Sequence, residues 1–342
     1  AYLGDDPANK VVAIAAGAFH SLALMADGTV YTWGHDGFGQ LGDNSTTDKH
    51  TPVRVLKGAY NGTAYLGDDP ANKITALSAG YYHTIALDQN GSVYTWGWNR
   101  YGQLGDGSWA QRNTPVRVLT GEYNGTTYLG DDPANKVTAI TAGYYHTIAL
   151  DQNGSVYTWG WNNNGQLGDG SNSDRNTPVR VLTGEYNGTT YLGDDPANKI
   201  TKIAGGSYHV SAMAQNATVY TWGYNYYGQL GNYRTTNSNI PVKVHGEGNV
   251  GDLSLPVNLS SFSALAGTNK VTLKWATESE VENVGFEILR ANDKDGDYQE
   301  ISSYRSNSSL KGQYSTSHRT DYRYDDQLVQ TGQTYWYKLI DV

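Results

Sequence analysis

The 342-residue chain has no cysteine, which excludes a disulfide framework and thiolate chemistry alike. Glycine and threonine interrupt its apolar stretches everywhere, so no run approaches the roughly 20 residues that a membrane-spanning helix requires. Basic residues are outnumbered: 24 Lys and Arg against 33 Asp and Glu leave a net charge of -9. That balance argues against nucleic acid as a partner, because phosphate-binding domains carry a basic stripe. Gly37-Phe38-Gly39 has neither the strand-to-helix setting nor the acidic partner of a dinucleotide loop, and no nucleophile stands beside a base. The expectation is a protein that is not an enzyme and needs no cofactor.

What the sequence does contain is one phrase, repeated. Gly143 to Gly170 reads GYYHTIALDQNGSVYTWGWNNNGQLGDG, and close versions begin at Gly17, Gly80 and Gly206. Trp33, Trp96, Trp159 and Trp222 follow one another at intervals of 63 residues. Such a fixed period marks a repeat array, in which each unit buries its apolar face against its neighbours. The opening AYLGDDPANK recurs at Ala64 to Lys73, halfway through an inter-repeat segment. That placement is expected of a processed or truncated piece, with a leader and further repeats upstream.

Within a unit, Val137 to Ala142 and His146 to Asp151 carry strand composition. Asn153-Gly154 supplies a hairpin dipeptide that tolerates positive φ at both turn positions, and Ser155 to Trp159 returns as a third strand. A fourth runs from Pro178 to Leu182, with the proline at the strand start where its missing N–H does little harm. Four antiparallel strands in a meander make a propeller blade. The fold class is therefore all-β: four 63-residue blades over 1–245, a linker at 246–255, and a small β-sandwich over 256–342.

The succession Gly-x-x-His, an apolar strand, Asn/Asp-Gly, Val-Tyr-Thr-Trp-Gly, Gly-Gln-Leu-Gly-Asp and Thr-Pro-Val resembles the repeat of the regulator of chromosome condensation family, over roughly residues 11–245. The resemblance implies a seven-bladed β-propeller whose members are guanine-nucleotide exchange factors, inhibitors or binding platforms, seldom enzymes. Two features depart from it. Only four repeats occur, and each is lengthened by a segment such as Gly184 to Lys199.

Two sets of residues invite a metal. The Asp-Asp-Pro-Ala-Asn-Lys element begins at Asp5, Asp68, Asp131 and Asp194, but it lacks the alternating oxygen ligands of a calcium loop. Asp69, Asp132 and Asp195 precede proline and are expected to cap single helical turns. His20, His83, His146 and His209 come one per blade, too far apart to converge on a zinc ion at about 2.0–2.3 Å. Each is expected to bond local backbone inside its blade, and the four tryptophans are expected to be buried at equivalent places between blades.

Binding is expected elsewhere. In a meander the first-to-second and third-to-fourth connections share one face, which gathers Tyr81, Tyr82, Trp98, Tyr101, Tyr144, Tyr145, Trp161, Tyr224, Tyr226 and Tyr227. Such rings anchor protein interfaces and stack on sugars. Repeats two and three are nearly identical and offer the same groups in rotation, unlike a pocket for one small ligand. The leading expectation is a secreted structural or adhesive protein that assembles with copies of itself or with other surface proteins. The alternative is an inhibitor-like or lectin-like module using the aromatic face.

After Val244 the period stops. Alternation at Val271, Leu273 and Trp275, then at Phe286 and Ile288, and the segment Thr331 to Asp341 resemble a fibronectin type III-like sandwich, with Tyr335 as its tyrosine corner and its last strand lacking. Leu255 to Phe262 and Thr272 to Ile288 are similar to modules of type IX-secreted bacterial proteins. That implies an extracellular or cell-surface location.

Overall fold

The computed structural model describes residues 2–60, 62, 64–121, 127–185, 190–245, 258–294, 296–316 and 319–341. Two compact units result, Ala1–His245 and Gly246–Val342. The expected linker at 246–255 lies outside the described residues.

The first unit is four blade-like antiparallel sheets, each a meander of four consecutive strands. They are β1 to β4 (Val11–Ala16, His20–Met25, Val30–Gly34, Lys49–Arg54), β5 to β8 (Ile74–Ala79, His83–Asp88, Val93–Gly97, Arg112–Arg117), β9 to β12 (Val137–Ala142, His146–Asp151, Val156–Gly160, Arg175–Arg180) and β13 to β16 (Ile200–Gly205, His209–Ala214, Val219–Gly223, Ser238–Lys243). Pro178 falls inside β12 and not at its start. It is tolerated there because β12 is an edge strand, and the register to β11 shifts between the Gly160↔Arg175 and Thr158↔Val179 pairs.

The core lies between blades. Leu24, Val30, Val55 and Leu66 of the first unit length pack with Ile74, Ala86, Tyr94 and Trp96 of the second, and equivalent clusters join the second to the third and the third to the fourth. Trp96, Trp159 and Trp222 are fully buried, and the indole N–H groups of Trp96 and Trp222 donate to the carbonyls of Gln40 (2.9 Å) and Gln166 (3.0 Å) in the preceding blade. Trp33 corrects the expectation of four equivalent sites: it is only half-buried, since no described blade packs on its side of the first sheet.

Each inter-repeat segment is pinned to its blade. Leu56, Leu119 and Leu182 form bridges with Tyr65, Tyr128 and Tyr191, and the guanidinium groups of Arg54, Arg117 and Arg180 lie 4.0, 4.3 and 4.2 Å above those tyrosine rings. Arg117 and Arg180 also pair with Asp131 and Asp194. The Asp-Pro steps make β-turns, where a helical turn was expected: Asn72 N–H donates to the Asp69 carbonyl at 3.0 Å while the Asp69 side chain accepts from Ala71 N–H at 2.9 Å. One turn is all the segment needs before β5 begins.

The second unit is organised on one long strand, β18 (Lys270–Ala291), after β17 (Asn258–Gly267). Its first part pairs with β17 and β21 (Thr320–Asp326), its last part with β19 (Gln299–Ser303) and β22 (Trp336–Asp341), and its middle with β20 (Lys311–Thr316). Leu273, Trp275, Phe286, Ile288, Leu310 and Tyr322 form the core. The last strand starts at Trp336, later than the expected Thr331, because Gly332 sits in a turn at φ +86°.

Candidate binding face

The backbone sorts loops onto two faces. At the second-to-third hairpin tip, Asn90 Nδ2 donates to Asn72 Oδ1 at 2.7 Å and Gln89 Nε2 to the Ala71 carbonyl at 2.6 Å, so the inter-repeat crossover and the hairpin tips keep company. The other connections bring aromatic rings together. Tyr82 meets Trp98 at 5.9 Å within one blade, and Tyr81 meets Tyr144 at 4.9 Å across the next boundary.

All ten residues expected on this face join one network. From Tyr81 and Tyr82 it runs through Trp98, Tyr101 and Tyr145 to Trp161, with centroid separations of 5.2 to 6.0 Å between Trp98 and Tyr145 and between Tyr145 and Trp161. Tyr224, Tyr226 and Tyr227 close its far end. Tyr208 is the link, 5.2 Å from both Tyr144 and Trp161 and 6.1 Å from Tyr224. Phe19, His35 and Phe38 extend the network into the first blade. Sequence reasoning missed these four, although the period gives the signal: they occupy the repeat positions of Tyr145, Tyr82, Trp98 and Tyr101.

Most contacts are tilted or edge-to-face, the arrangement that ring quadrupoles favour. The network is half-buried by its own members. Burial, with the neighbouring tyrosines adding, pushes the Tyr145 hydroxyl up to about 12 and raises those of Tyr82 and Tyr208. Phe19, Tyr144, Tyr226 and Tyr227 remain exposed.

Beneath the face lies a ladder of histidines that serves packing. His20 Nε2 is 2.9 Å from Thr84 Oγ1 and His83 Nε2 is 3.0 Å from Thr147 Oγ1, each threonine belonging to the following blade. Those hydroxyls donate at 2.8 Å to the carbonyls of Gln40 and Gln103, so the imidazoles must donate from Nε2. The expectation of local backbone partners is thereby corrected: the bonds cross between blades. Burial lowers the pKa of His20 to about 4 and of His83 and His146 to about 3, and lowers that of His209. Among the described residues no group of three His, Asp or Glu side chains converges as metal ligands, and no helix is long and apolar enough to cross a membrane.

Repeated four-stranded blades with Gly-x-x-His and Tyr-Thr-Trp-Gly at fixed places define a class, and the chain belongs to it: the RCC1-like domain family, whose model matches residues 3–278. The chain is 32% identical over 234 residues to the ultraviolet-B receptor UVR8 of Arabidopsis thaliana, covering 68% of this chain and 45% of the relative. Against the probable E3 ubiquitin-protein ligase HERC4 of Homo sapiens it is 32% identical over 238 residues, 69% of this chain and 20% of the relative. The chain thus spans less than half the length of these relatives. Among solved structures, human WBSCR16 superposes with a TM-score of 0.57 at 24% identity, covering 75% of this chain and 56% of that one. Prp20p from Saccharomyces cerevisiae, described with its binding properties to Gsp1p and histones, gives 0.53 at 23% identity over 82% and 57%. At these identities the structures speak for the fold alone.

Proposed function

We propose that this chain is a non-catalytic binding module that docks a macromolecular ligand on its aromatic face. The observation that carries the reading is the unbroken ring network from Phe19 to Tyr227, contributed by all four blades and partly open to solvent. Large, stiff rings give contact area at low entropic cost, which is why they anchor interfaces. The test is a panel of immobilised proteins and polysaccharides probed with the intact chain and with a Tyr144→Ala/Trp161→Ala variant. Retention that the variant loses supports the reading, and equal retention by both overturns it.

A second reading has its own support. Ile14 is 79% exposed, whereas Leu77, its counterpart one period on, is half-buried against the preceding blade. We infer that the first blade's open side accepts a further blade, either from another copy, so that chains add head to tail into a filament or surface layer, or from repeats upstream in the same chain. The blades then form an arc of a seven-bladed ring. Sedimentation velocity at micromolar concentration decides: a compact monomer removes assembly by copies and leaves the first reading untouched.

For the second unit we propose a fibronectin type III-like sandwich of an extracellular or cell-surface protein. The Tyr335 hydroxyl accepts from Gln330 N–H at 3.0 Å, a bond of the tyrosine-corner kind, reaching back five residues. Localising the protein by antibody labelling of intact and permeabilised cells tests the placement outside the cell.

A further inference from the structure

The ends of the four innermost strands surround a cavity of about 490 Å³, lined by the Ala/Gly-Gly-x steps of all four blades, including Gly80-Tyr81, Gly143-Tyr144 and Gly206-Ser207. Its wall is bare backbone by necessity. A Cβ on Gly80 would stand 2.6 Å from the Gly143 carbonyl oxygen, and one on Gly143 would stand 2.6 Å from that of Gly206. Around the wall the backbone steps from blade to blade, Tyr81 N–H to the Tyr144 carbonyl and Tyr144 N–H to the Ser207 carbonyl, both at 3.0 Å. Each carbonyl keeps a second lone pair for a ligand hydroxyl. Tyr81 and Tyr144 line this cavity, and their rings meet in the aromatic network at 4.9 Å.

We propose that this cavity and its tyrosines bind a neutral polysaccharide, one sugar unit on each of the second and third blades. The inference rests on the binding face proposed above and names its ligand. Three properties of the site select that chemistry. No lining residue carries a formal charge, so what it offers is aromatic surface, hydroxyls and backbone dipoles. A pyranose presents the matching groups, a C–H face for a ring and hydroxyls for carbonyls.

The second property is repetition. Tyr81, Tyr82 and Trp98 recur as Tyr144, Tyr145 and Trp161 one period later, so neighbouring blades offer the same subsite turned about one axis. A ligand with a repeating unit can fill successive identical subsites, and each added contact raises affinity through effective concentration. A unique protein epitope draws no such benefit from identity. The third is charge: the chain's net -9 disfavours acidic polymers over neutral ones.

Affinity electrophoresis of the intact chain tests the proposal, in native gels cast with amylose, xylan, β-1,3-glucan or galactomannan, and in gels cast with alginate or polygalacturonate. The expected result is retardation in at least one neutral gel and none in the acidic gels, with affinity for the neutral polymer reduced at least tenfold in Tyr81→Ala/Tyr144→Ala. Circular dichroism melting of that variant checks that the fold is kept, and Tyr144→Trp, which preserves a stacking ring, should keep most of the wild-type affinity. Absence of retardation in all four neutral gels, retardation by the acidic polymers instead, or equal retardation of wild type and variant overturns the proposal. If the chain instead captures a protein through Trp161 while ignoring every glycan, the binding face stands and only its assignment to sugars is lost.

Discussion

Val210 holds, for His146, the repeat position that Thr84 holds for His20 and Thr147 for His83. At the two preceding blade boundaries the residue in that place is a threonine, whose hydroxyl takes the bond from His20 or His83 and passes one to a glutamine carbonyl. At the third boundary the chain of bonds is cut, and Nε2 of the fully buried His146 has no partner.

A buried donor without an acceptor costs on the order of 1–3 kcal/mol, and threonine is close to valine in shape. Val210→Thr should therefore stabilise the first unit by about 1 kcal/mol. Urea unfolding monitored by tryptophan fluorescence measures it. A loss of stability would mean that the hydroxyl cannot reach the Gln166 carbonyl, and the ladder would then be no guide to this boundary.

The same histidines predict acid lability. Their folded-state pKa values, about 4 for His20 and about 3 for His83 and His146, lie below the ordinary 6.5. The unfolded chain thus binds protons that the folded chain refuses. Their contribution is intact above pH 6.5 and is lost progressively as pH falls below it. By pH 5 each costs up to about 2 kcal/mol. Carboxyls with raised values, Asp36 together with Asp88 and Asp151, push the other way and offset part of this loss. Unfolding free energy should drop between pH 7 and pH 5, and less so in His83→Gln; a flat profile would show that the imidazoles ionise without resistance.

How much of this was legible in the sequence follows from the range of the interactions. The 63-residue spacing of the tryptophans, the Asn-Gly hairpins and the aromatic words at loop positions are local signals, and they marked the blades and the ten rings. What escaped was set by neighbours. Whether Trp33 is covered depends on what packs against the first sheet, and where His20 Nε2 points depends on Thr84, 64 residues away. A clue existed in the His-Thr pairs at 83–84 and 146–147, broken as His-Val at 209–210. Reading the repeats as aligned columns would also have recovered Phe19, His35, Phe38 and Tyr208.

Asp36 is the first blade's substitute for an asparagine. Asn99 and Asn162 accept from Leu104 and Leu167 N–H and donate from Nδ2 to Asp106 and Asp169. Asp36 keeps the first bond, to Leu41 N–H at 2.9 Å, but turns a carboxyl toward Asp43 where the others turn an amide. Burial, with Asp43 adding, raises its pKa to about 6. The folded state then holds the proton more tightly than the unfolded one, so the penalty is absent below about pH 4 and complete above pH 6. Asp36→Asn should gain about 1 kcal/mol at pH 7.5, a gain that shrinks toward pH 4. A gain that does not vary with pH would assign the effect to packing.

The fourth blade carries a conformational cost at its hairpin. Gly28, Gly91 and Gly154 hold φ between 94° and 96° at the tip, and Ala217, in the fourth copy, holds φ at 67°. In the first three blades a Cβ is barred twice over, by the left-handed backbone and by Lys73, Lys136 and Lys199 of the next unit, whose Cβ atoms would stand 2.7–2.8 Å away. The repeat ends after Val244, so the sequence holds no counterpart of Lys73, Lys136 and Lys199 beyond the fourth hairpin. The backbone term applies at Ala217 as at the glycines, and an L-residue in that region costs about 1 kcal/mol. Ala217→Gly should therefore stabilise the fourth blade by about 0.5–1 kcal/mol, since glycine recovers the strain but adds freedom to the unfolded chain. Hydrogen exchange at Ala212 and Tyr220, which pair across that hairpin, reads the change locally. Slower exchange there, with rates in the second blade unchanged, is the expected outcome; unchanged rates at both sites would mean that the turn at Ala217 is not strained.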